Sequence, residues 1–341
     1  MAEVTALIFA QAPGEELDRC LRSVDGIATQ TFVVYSAPNG GIHRDWNDAF
    51  DEFYNFGIEQ VQQGWILHLN SDERLQDGAQ KRIAKAIQSD SATAFSLTRE
   101  ERETGGRSDL VRLWKADRQV RYSGTVFPVL EGVKSARLDV KIFHTPILGS
   151  ATRTERNIRL MRKELQLRPG QARYEALLAQ AVAETSPGES SRLRQSAIER
   201  LLADSSIKLS TPLSSWLLIG ELQSISDEEL KKIRGDRLIR ATWRLCANSP
   251  NAIWTIANAE FRRGDLLNAL HAWMELDEQL VAKAFDPACP PDPKVTGAAL
   301  YKNLAQAAQN FGRQELARRS LKRAAALDPH DTAIRMMLAR T

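Results

Sequence analysis

Residues 64–75, GWILHLNSDERL, set an amide and two carboxylates directly behind an unbroken apolar run. The run over 65–69 has the composition of a strand buried on both faces. Asn70, Ser71, Asp72 and Glu73 follow it without a spacer. Carboxylates at the end of a rigid strand are well placed to hold a divalent cation, with water and phosphate oxygens completing its shell. Asp72 is the residue expected to make that contact. Asn70 can offer a neutral oxygen beside it but little charge. Asp72 has two plainer uses, as the N-cap of a helix expected over 76–89 or as a solvated turn acid. His68, inside the run, is expected to face the core.

The neighbouring strands decide what surrounds Asp72, because ligands of open α/β sheets bind outside the carboxyl ends of the strands. Val4–Ala10 is apolar and strand-like. Residues 31–35 (TFVVY) read as a second buried strand, ended by Ser36-Ala37-Pro38-Asn39-Gly40-Gly41. Between them, Glu15–Val24 carries Leu17, Leu21 and Val24 at helical spacing behind a Pro13-Gly14 turn. Helices are also expected over 49–62 and 76–89, the second with Ala79, Ile83, Ala86 and Ile87 on one stripe. Residues 95–98, 110–114 and 141–144 add further strands. This alternation argues for an α/β sheet with parallel strands. Gln11, Tyr35, Asn39, Asn70 and Asp72 are then the residues a ligand at the strand ends would meet.

The chain has 341 residues, which suggests two domains. Apolar content of 43% and charged content of 26% are ordinary for a soluble globular protein. A net charge of +3 gives no strong electrostatic case for nucleic acid. Residues 1–150 carry 17 basic and 21 acidic residues, and the remainder carries 29 and 22, so the halves stand at −4 and +7. The basic second half hints at an acidic partner or simply at solvated helices. Cys20, Cys246 and Cys289 have no metal spacing and suggest a reducing compartment, so a cytoplasmic location is expected. No signal peptide is recognisable, since the apolar stretch at 4–10 is short and acids follow it. No run approaches the length of a membrane span.

From Ser150 onward nearly every segment has helical periodicity, which sets an expected division into 1–150 and 151–341. Two segments, 252–276 and 299–329, repeat. With Gly264 set on Gly312, Ile256 matches Leu304, Ala257 matches Ala305, Ala269 matches Ala317 and Trp273 matches Leu321. This resembles the tetratricopeptide repeat, in which small residues let paired helices approach and a turn glycine closes the hairpin. The two glycines stand 48 residues apart against about 34 in that repeat. The proline-rich stretch 285–294 (FDPACPPDPK) is the expected insertion. Residues 152–246 read as looser hairpins of the same sort, with Ala179 and Ala197 as small-residue contacts.

Residues 45–75 as a whole resemble family 2 glycosyltransferases of the GT-A fold. Trp46, Asp48 and Phe50 match a W-x-D-x-F segment, and Asn55 and Gly57 match the helix behind it. Trp65, Ile66, Leu67, Leu69, Asp72, Glu73 and Arg74 match W-[IV]-L-x-L-D-A-D-E. RLWK (112–115), VRYSG (120–124), IFHTPI (142–147) and ERNIRLMRKEL (155–165) resemble later elements of that family in the same order. The resemblance covers roughly 4–165. It implies a GT-A-like α/β domain ahead of an all-α, tetratricopeptide-like domain, a nucleotide-sugar donor and a divalent cation (Mn or Mg). By position in the family, Asp72 and Asn70 would meet the cation, and Gln11, Tyr35, Asn39, Arg112 and His144 would lie on the donor side. Arg112 could pair with phosphate or with a sheet-side carboxylate. His144 could touch the leaving diphosphate or be structural. Trp46 and Phe50 would pack at the sheet's edge or wall the donor pocket. An inverting transfer needs a base, and Asp109 and Glu131 fall where acceptor-side residues would lie.

The departures from the family matter too. Asn70 stands for its first Asp, and Tyr35-Ser36 for the carboxylate that meets the nucleotide. Gln11 to Glu15 stand for an Asn-Glu pair, and Phe127-Pro128 for a His-Glu pair. The expected activity is transfer of a sugar to a protein or surface glycan, with the repeats binding that acceptor or a second copy of the chain. The alternative is a catalytically degraded glycosyltransferase fold kept as a binding or scaffold protein.

Overall fold

The computed structural model of the chain describes residues 3–39, 41–89, 91–103, 105–146 and 149–340. Gly40 of the expected turn and Ile147 of the expected closing strand lie outside them. The chain divides into two compact units, Met1–Pro169 and Gly170–Thr341. The first is a mixed α/β sheet with its helices, and the second is a helical-repeat region. The change to helical periodicity near Ser150 precedes the division, because the helix Ser150–Leu167 belongs with the sheet. Among the described residues no helix is long and apolar enough to cross a membrane.

The first unit runs β1 (Val4–Ala10), α1 (Glu15–Val24), β2 (Gln30–Tyr35), β3 (Ile42–His43), α2 (Phe50–Ile58), β4 (Trp65–Asn70) and β5 (Glu73–Leu75). It continues through α3 (Ala79–Gln88), β6 (Ala94–Glu101), β7 (Arg107–Lys115), β8 (Arg121–Ser123), β9 (Val129–Glu131), β10 (Ala136–His144) and α4 (Ser150–Leu167). One eight-stranded sheet has the order β3-β2-β1-β4-β7-β6-β10-β5, and β8 pairs with β9 apart from it. The α/β sheet has the expected parallel strands on one side and antiparallel pairings on the other. β1, β2, β3 and β4 are parallel, but β7 runs antiparallel to both β4 and β6, and β5 runs antiparallel to β10. Helix α3 starts at Ala79 rather than Gln76, because β5 runs to Leu75 and a turn through Gly78, at φ 76°, separates the two.

β4 lies inside the sheet with both faces covered, as its apolar run predicts. Successive side chains alternate between the faces. Trp65, Leu67 and Leu69 pack beneath α1 and α3 with Leu17, Cys20, Ile83 and Ile87. Ile66 joins Leu7, Phe9 and the α2 residues Phe53, Tyr54 and Ile58 on the other face. Gly57 permits that contact, since a Cβ there would stand 2.5 Å from the Phe9 ring. Asn55, also on α2, bonds both backbone groups of Tyr122: Nδ2 donates to its carbonyl at 2.9 Å, and Oδ1 accepts from its N–H at 2.8 Å.

The second unit is α5 (Ala172–Ala181), α6 (Pro187–Ala203), α7 (Thr211–Ser224), α8 (Asp227–Leu230), α9 (Ile233–Cys246), α10 (Pro250–Arg262), α11 (Leu266–Ala282), α12 (Ala298–Asn310), α13 (Gln314–Leu327) and α14 (Thr332–Ala339). The pairs α5/α6, α7/α9, α10/α11 and α12/α13 pack as neighbours. Ser249 caps α10 ahead of Pro250, and the Asp265 carboxylate caps α11. Gly264 and Gly312 sit in the α10–α11 and α12–α13 turns with φ of 89° and 66°, a region that suits glycine. The stretch at 285–294 lies between α11 and α12 as the expected insertion. The Asn251 side chain holds it, donating to the Pro290 carbonyl and accepting from the Asp292 N–H. Ala179 and Ala197 are fully buried, as are Ala257 and Ala269.

The buried Ala269 gives a direct test of this register. Ala269→Phe should overpack the hairpin and destabilise it by about 1–3 kcal/mol, read as a lower midpoint in denaturant unfolding. An unchanged midpoint would contradict the assigned packing.

Candidate active site

The strand register builds the rim. Asn70 lies opposite Phe9 on β1, and Tyr35 on β2 lies opposite Ala10. The Ser36 N–H donates to the Ala10 carbonyl at 3.0 Å and the Ser71 N–H to the Phe9 carbonyl at 2.8 Å. Gln11, Ser36 and Ser71 therefore leave the sheet at one level. Gln11 and Asn39 are exposed, and the Asn39 amide turns back to the Ala37 carbonyl at 3.3 Å. Tyr35 is half-buried and packs on the face covered by α1 and α3.

Asp72 and Glu73 diverge at the end of β4. Glu73 turns inward and is 2% exposed. Its Oε1 lies 2.8 Å from an Arg112 terminal nitrogen and 3.3 Å from Arg99 Nε, and its Oε2 accepts from the Asn70 N–H at 2.9 Å. Arg112 therefore serves a sheet-side carboxylate. Burial alone would lower its pKa, but Glu73, together with Tyr122, Tyr54 and Asp72, outweighs this and the net shift is upward. Asp72 turns the other way, and its Oδ2 lies 3.2 Å from His144 Nε2. It caps no helix, since α3 begins behind Gly78.

Arg99 also approaches His144, with a terminal nitrogen 2.6 Å from Nδ1. A guanidinium can only donate. Nδ1 therefore accepts, and the ring proton sits on Nε2, where it is given to Asp72. The Asp72 carbonyl accepts from the Thr145 N–H at 3.0 Å, while its Oδ1 is buried and receives no hydrogen bond among the described residues.

Asn70 is held from the other face. Its Oδ1 accepts from the Tyr54 hydroxyl at 3.1 Å and lies 3.4 Å from His68 Nε2. His68 Nδ1 meets the Tyr122 hydroxyl at 2.6 Å. Burial holds His68 well below the ordinary histidine range, raises Tyr54 to about 12 and raises Tyr122 further. His68 is thus the core residue its place in the run implies.

The donor set does not fit the expected cation at Asp72 and Asn70. The Asn70 oxygen is taken by Tyr54, and Glu73 by two arginines. A histidine that ligates a metal through one ring nitrogen donates the other N–H to an acceptor, whereas His144 Nδ1 faces the donor Arg99. Among the described residues no group of three or more His, Cys, Asp or Glu could hold a metal ion.

The base candidates lie apart from these contacts. Asp109 accepts from the Thr98 hydroxyl at 2.7 Å and pairs with Arg137 at 3.5 Å, across the ladder of β6, β7 and β10. Glu131 is exposed on β9, opposite Arg121. No hydrogen bond or ion pair among the described residues joins either to Asp72. Trp46 and Phe50 pack edge to face at 4.7 Å, and the Trp46 indole N–H donates to Asp48. The arrangement brings together Asn70, Asp72, Arg112 and His144. It adds Glu73, Arg99, Tyr54 and Tyr122, which carried no signal of a shared site beyond the motif matches at Glu73 and Tyr122.

Two consequences are measurable. Glu73→Ala would leave the Arg112 charge buried without its carboxylate, a loss of about 3–5 kcal/mol; chemical denaturation should show it, and a loss under about 1 kcal/mol would deny the pair its role. His68 concerns acid stability. It stays neutral when folded, while the unfolded chain takes up a proton near the ordinary value of about 6.5. Its contribution is therefore present above that pH and is lost as pH falls below it, by up to about 1.4 kcal/mol per pH unit. His68→Phe should flatten the slope of unfolding free energy between about pH 6.5 and 5; an identical slope in the variant would place the titration elsewhere.

No family model matches the chain. A protein of Synechococcus elongatus described as TPR repeat-containing is 29% identical over 136 residues, 36% of this chain and 34% of that protein. The chain thus spans about a third of the curated relative it matches. YrrB, a TPR protein with an unusual peptide-binding site, aligns with a TM-score of 0.36 at 18% identity, over 56% of this chain and 86% of its own. Residues 1–349 of TarS from S. aureus, in complex with UDP-GlcNAc, align with a TM-score of 0.34 at 11% identity, over 82% and 92% of the two chains. At such scores neither likeness assigns a function.

Proposed function

We propose that the first unit transfers a sugar from a nucleotide-sugar donor to an acceptor at the rim where β2, β1 and β4 end. The observation that carries this reading is Asp72. It stands beyond the carboxyl end of an inner strand, on the rim where such sheets bind ligands, with His144 fixing one carboxylate oxygen and the other without a donor among the described residues. That free oxygen suits a donor hydroxyl. The motif order from Trp46 to Lys115 supports the same reading. In the reaction an acceptor oxygen bonds to the anomeric carbon, the nucleoside diphosphate leaves with the electron pair, and the acceptor's proton passes to a base. The helical repeats would hold a protein or glycan acceptor, or a second copy of the chain. Three buried free thiols suit a cytoplasmic setting.

A second reading, a binding module on a degraded transferase fold, is favoured by one observation. Asn70 stands where the family has a carboxylate, and its oxygen is consumed by Tyr54. Release of nucleoside diphosphate from a panel of nucleotide sugars separates the two. The transferase reading expects turnover by wild type and a loss of about 10²-fold or more in Asp72→Asn, with an unchanged melting temperature. Nucleotide-sugar binding without turnover would leave only the binding module.

A further inference from the structure

Helix α4 lays a row of arginines along the rim. Arg153, Arg156 and Arg159 follow at i, i+3 spacing and so lie along one side of the helix. The outer two are engaged at its ends. Arg159 grips the Asp48 carboxylate with both terminal nitrogens, and Arg153 pairs with Glu101 at the end of β6 at 3.5 Å. The Thr125 hydroxyl bonds the fully buried Glu164 and ties the helix down further along. Arg156 lies between them. It sits over the Phe50 ring at 5.1 Å and within electrostatic reach of Tyr54 and Asp72.

Arg156 has no carboxylate partner among the described residues. Among the described residues its hydrogen bonds go to the side-chain oxygen of its neighbour Asn157, at 3.3 and 3.4 Å. Burial, opposed by Tyr54 and Asp72, leaves its pKa lowered. Arg153 has a buried terminal nitrogen with no hydrogen-bond partner among the described residues. A half-buried guanidinium with no carboxylate in ion-pair contact is costly unless an anion completes it. A forked donor suits phosphate oxygens.

We infer that Arg156, with the free nitrogen of Arg153, binds the diphosphate of the donor and neutralises it as it leaves, so that this site works without a divalent cation. The inference rests on the transferase reading and assigns the charge that the rim carboxylates cannot recruit through a metal. Asn70 has its oxygen occupied, and His144 has its ring proton on Nε2. A fixed guanidinium meets the same need, since charge that develops on the leaving oxygens is stabilised by preorganised donors.

Calorimetric titration of the full chain with uridine, guanosine, adenosine, cytidine and thymidine diphosphates, in EDTA and in Mn²⁺, tests this. One of them should bind with the same affinity in both buffers. Arg156→Gln should weaken it by about tenfold or more, and Arg156→Lys by less, since it keeps the charge without the fork. The matching nucleoside monophosphate should show a smaller loss in Arg156→Gln. Binding only in Mn²⁺, or wild-type affinity in Arg156→Gln, would overturn the inference and leave the transferase reading standing. Absence of binding by wild type in both buffers would remove the two together.

Discussion

One buried ion pair organises the rim. Glu73 receives Arg112 and Arg99 on one oxygen and the Asn70 N–H on the other, so a single carboxylate joins β5, β6 and β7 to the end of β4. Such a pair need not outweigh apolar packing in energy. Its effect here is geometric. Glu73 can reach both arginines only if the chain reverses at Ser71 and Asp72 and pairs back on β10. That pairing sets Glu73 opposite His144, which leaves the preceding residue, Asp72, beside the imidazole. Arg99 reaches Glu73 and His144 alike, so it couples the buried pair to the surface one. The orientation of Asp72 is therefore set by a residue that never meets solvent.

The parts legible in the sequence are those whose pattern is local. The apolar run before Asn70 specifies a strand covered on both faces, and small residues at matched offsets from Gly264 and Gly312 specify paired helices. Asp72 was legible as a rim residue for the same reason. What was not legible depends on distant partners. The strands over 95–98 and 110–114 give no sign of their relative direction in their own residues. The antiparallel pairing of β6 with β7 turns on the short link carrying Gly105-Gly106, a hairpin signal of the glycine type. Nothing local sets Glu73 apart from Asp72 either. One is buried and the other reaches the surface only because Arg99 and Arg112, on two other strands, converge beneath the turn. Asp109 and Glu131 were drawn toward the site by family position alone, and an acid in a cross-strand ladder looks the same in sequence as one in a cleft.

The contact between Asn55 and Tyr122 has a consequence for how the first unit assembles. A two-stranded ribbon is marginal in water, and β8 with β9 is such a ribbon, of three residues a side. Asn55 presents Tyr122 with one acceptor and one donor, which is what an adjoining strand would present. The ribbon thus acquires a third strand made of one amide side chain, and that amide is in place only once α2 has docked. Order in the ribbon therefore depends on the docked helix. The Tyr122 hydroxyl meets His68 from that ribbon, so a polar bond of this core is supplied by a piece of chain that is marginal in isolation.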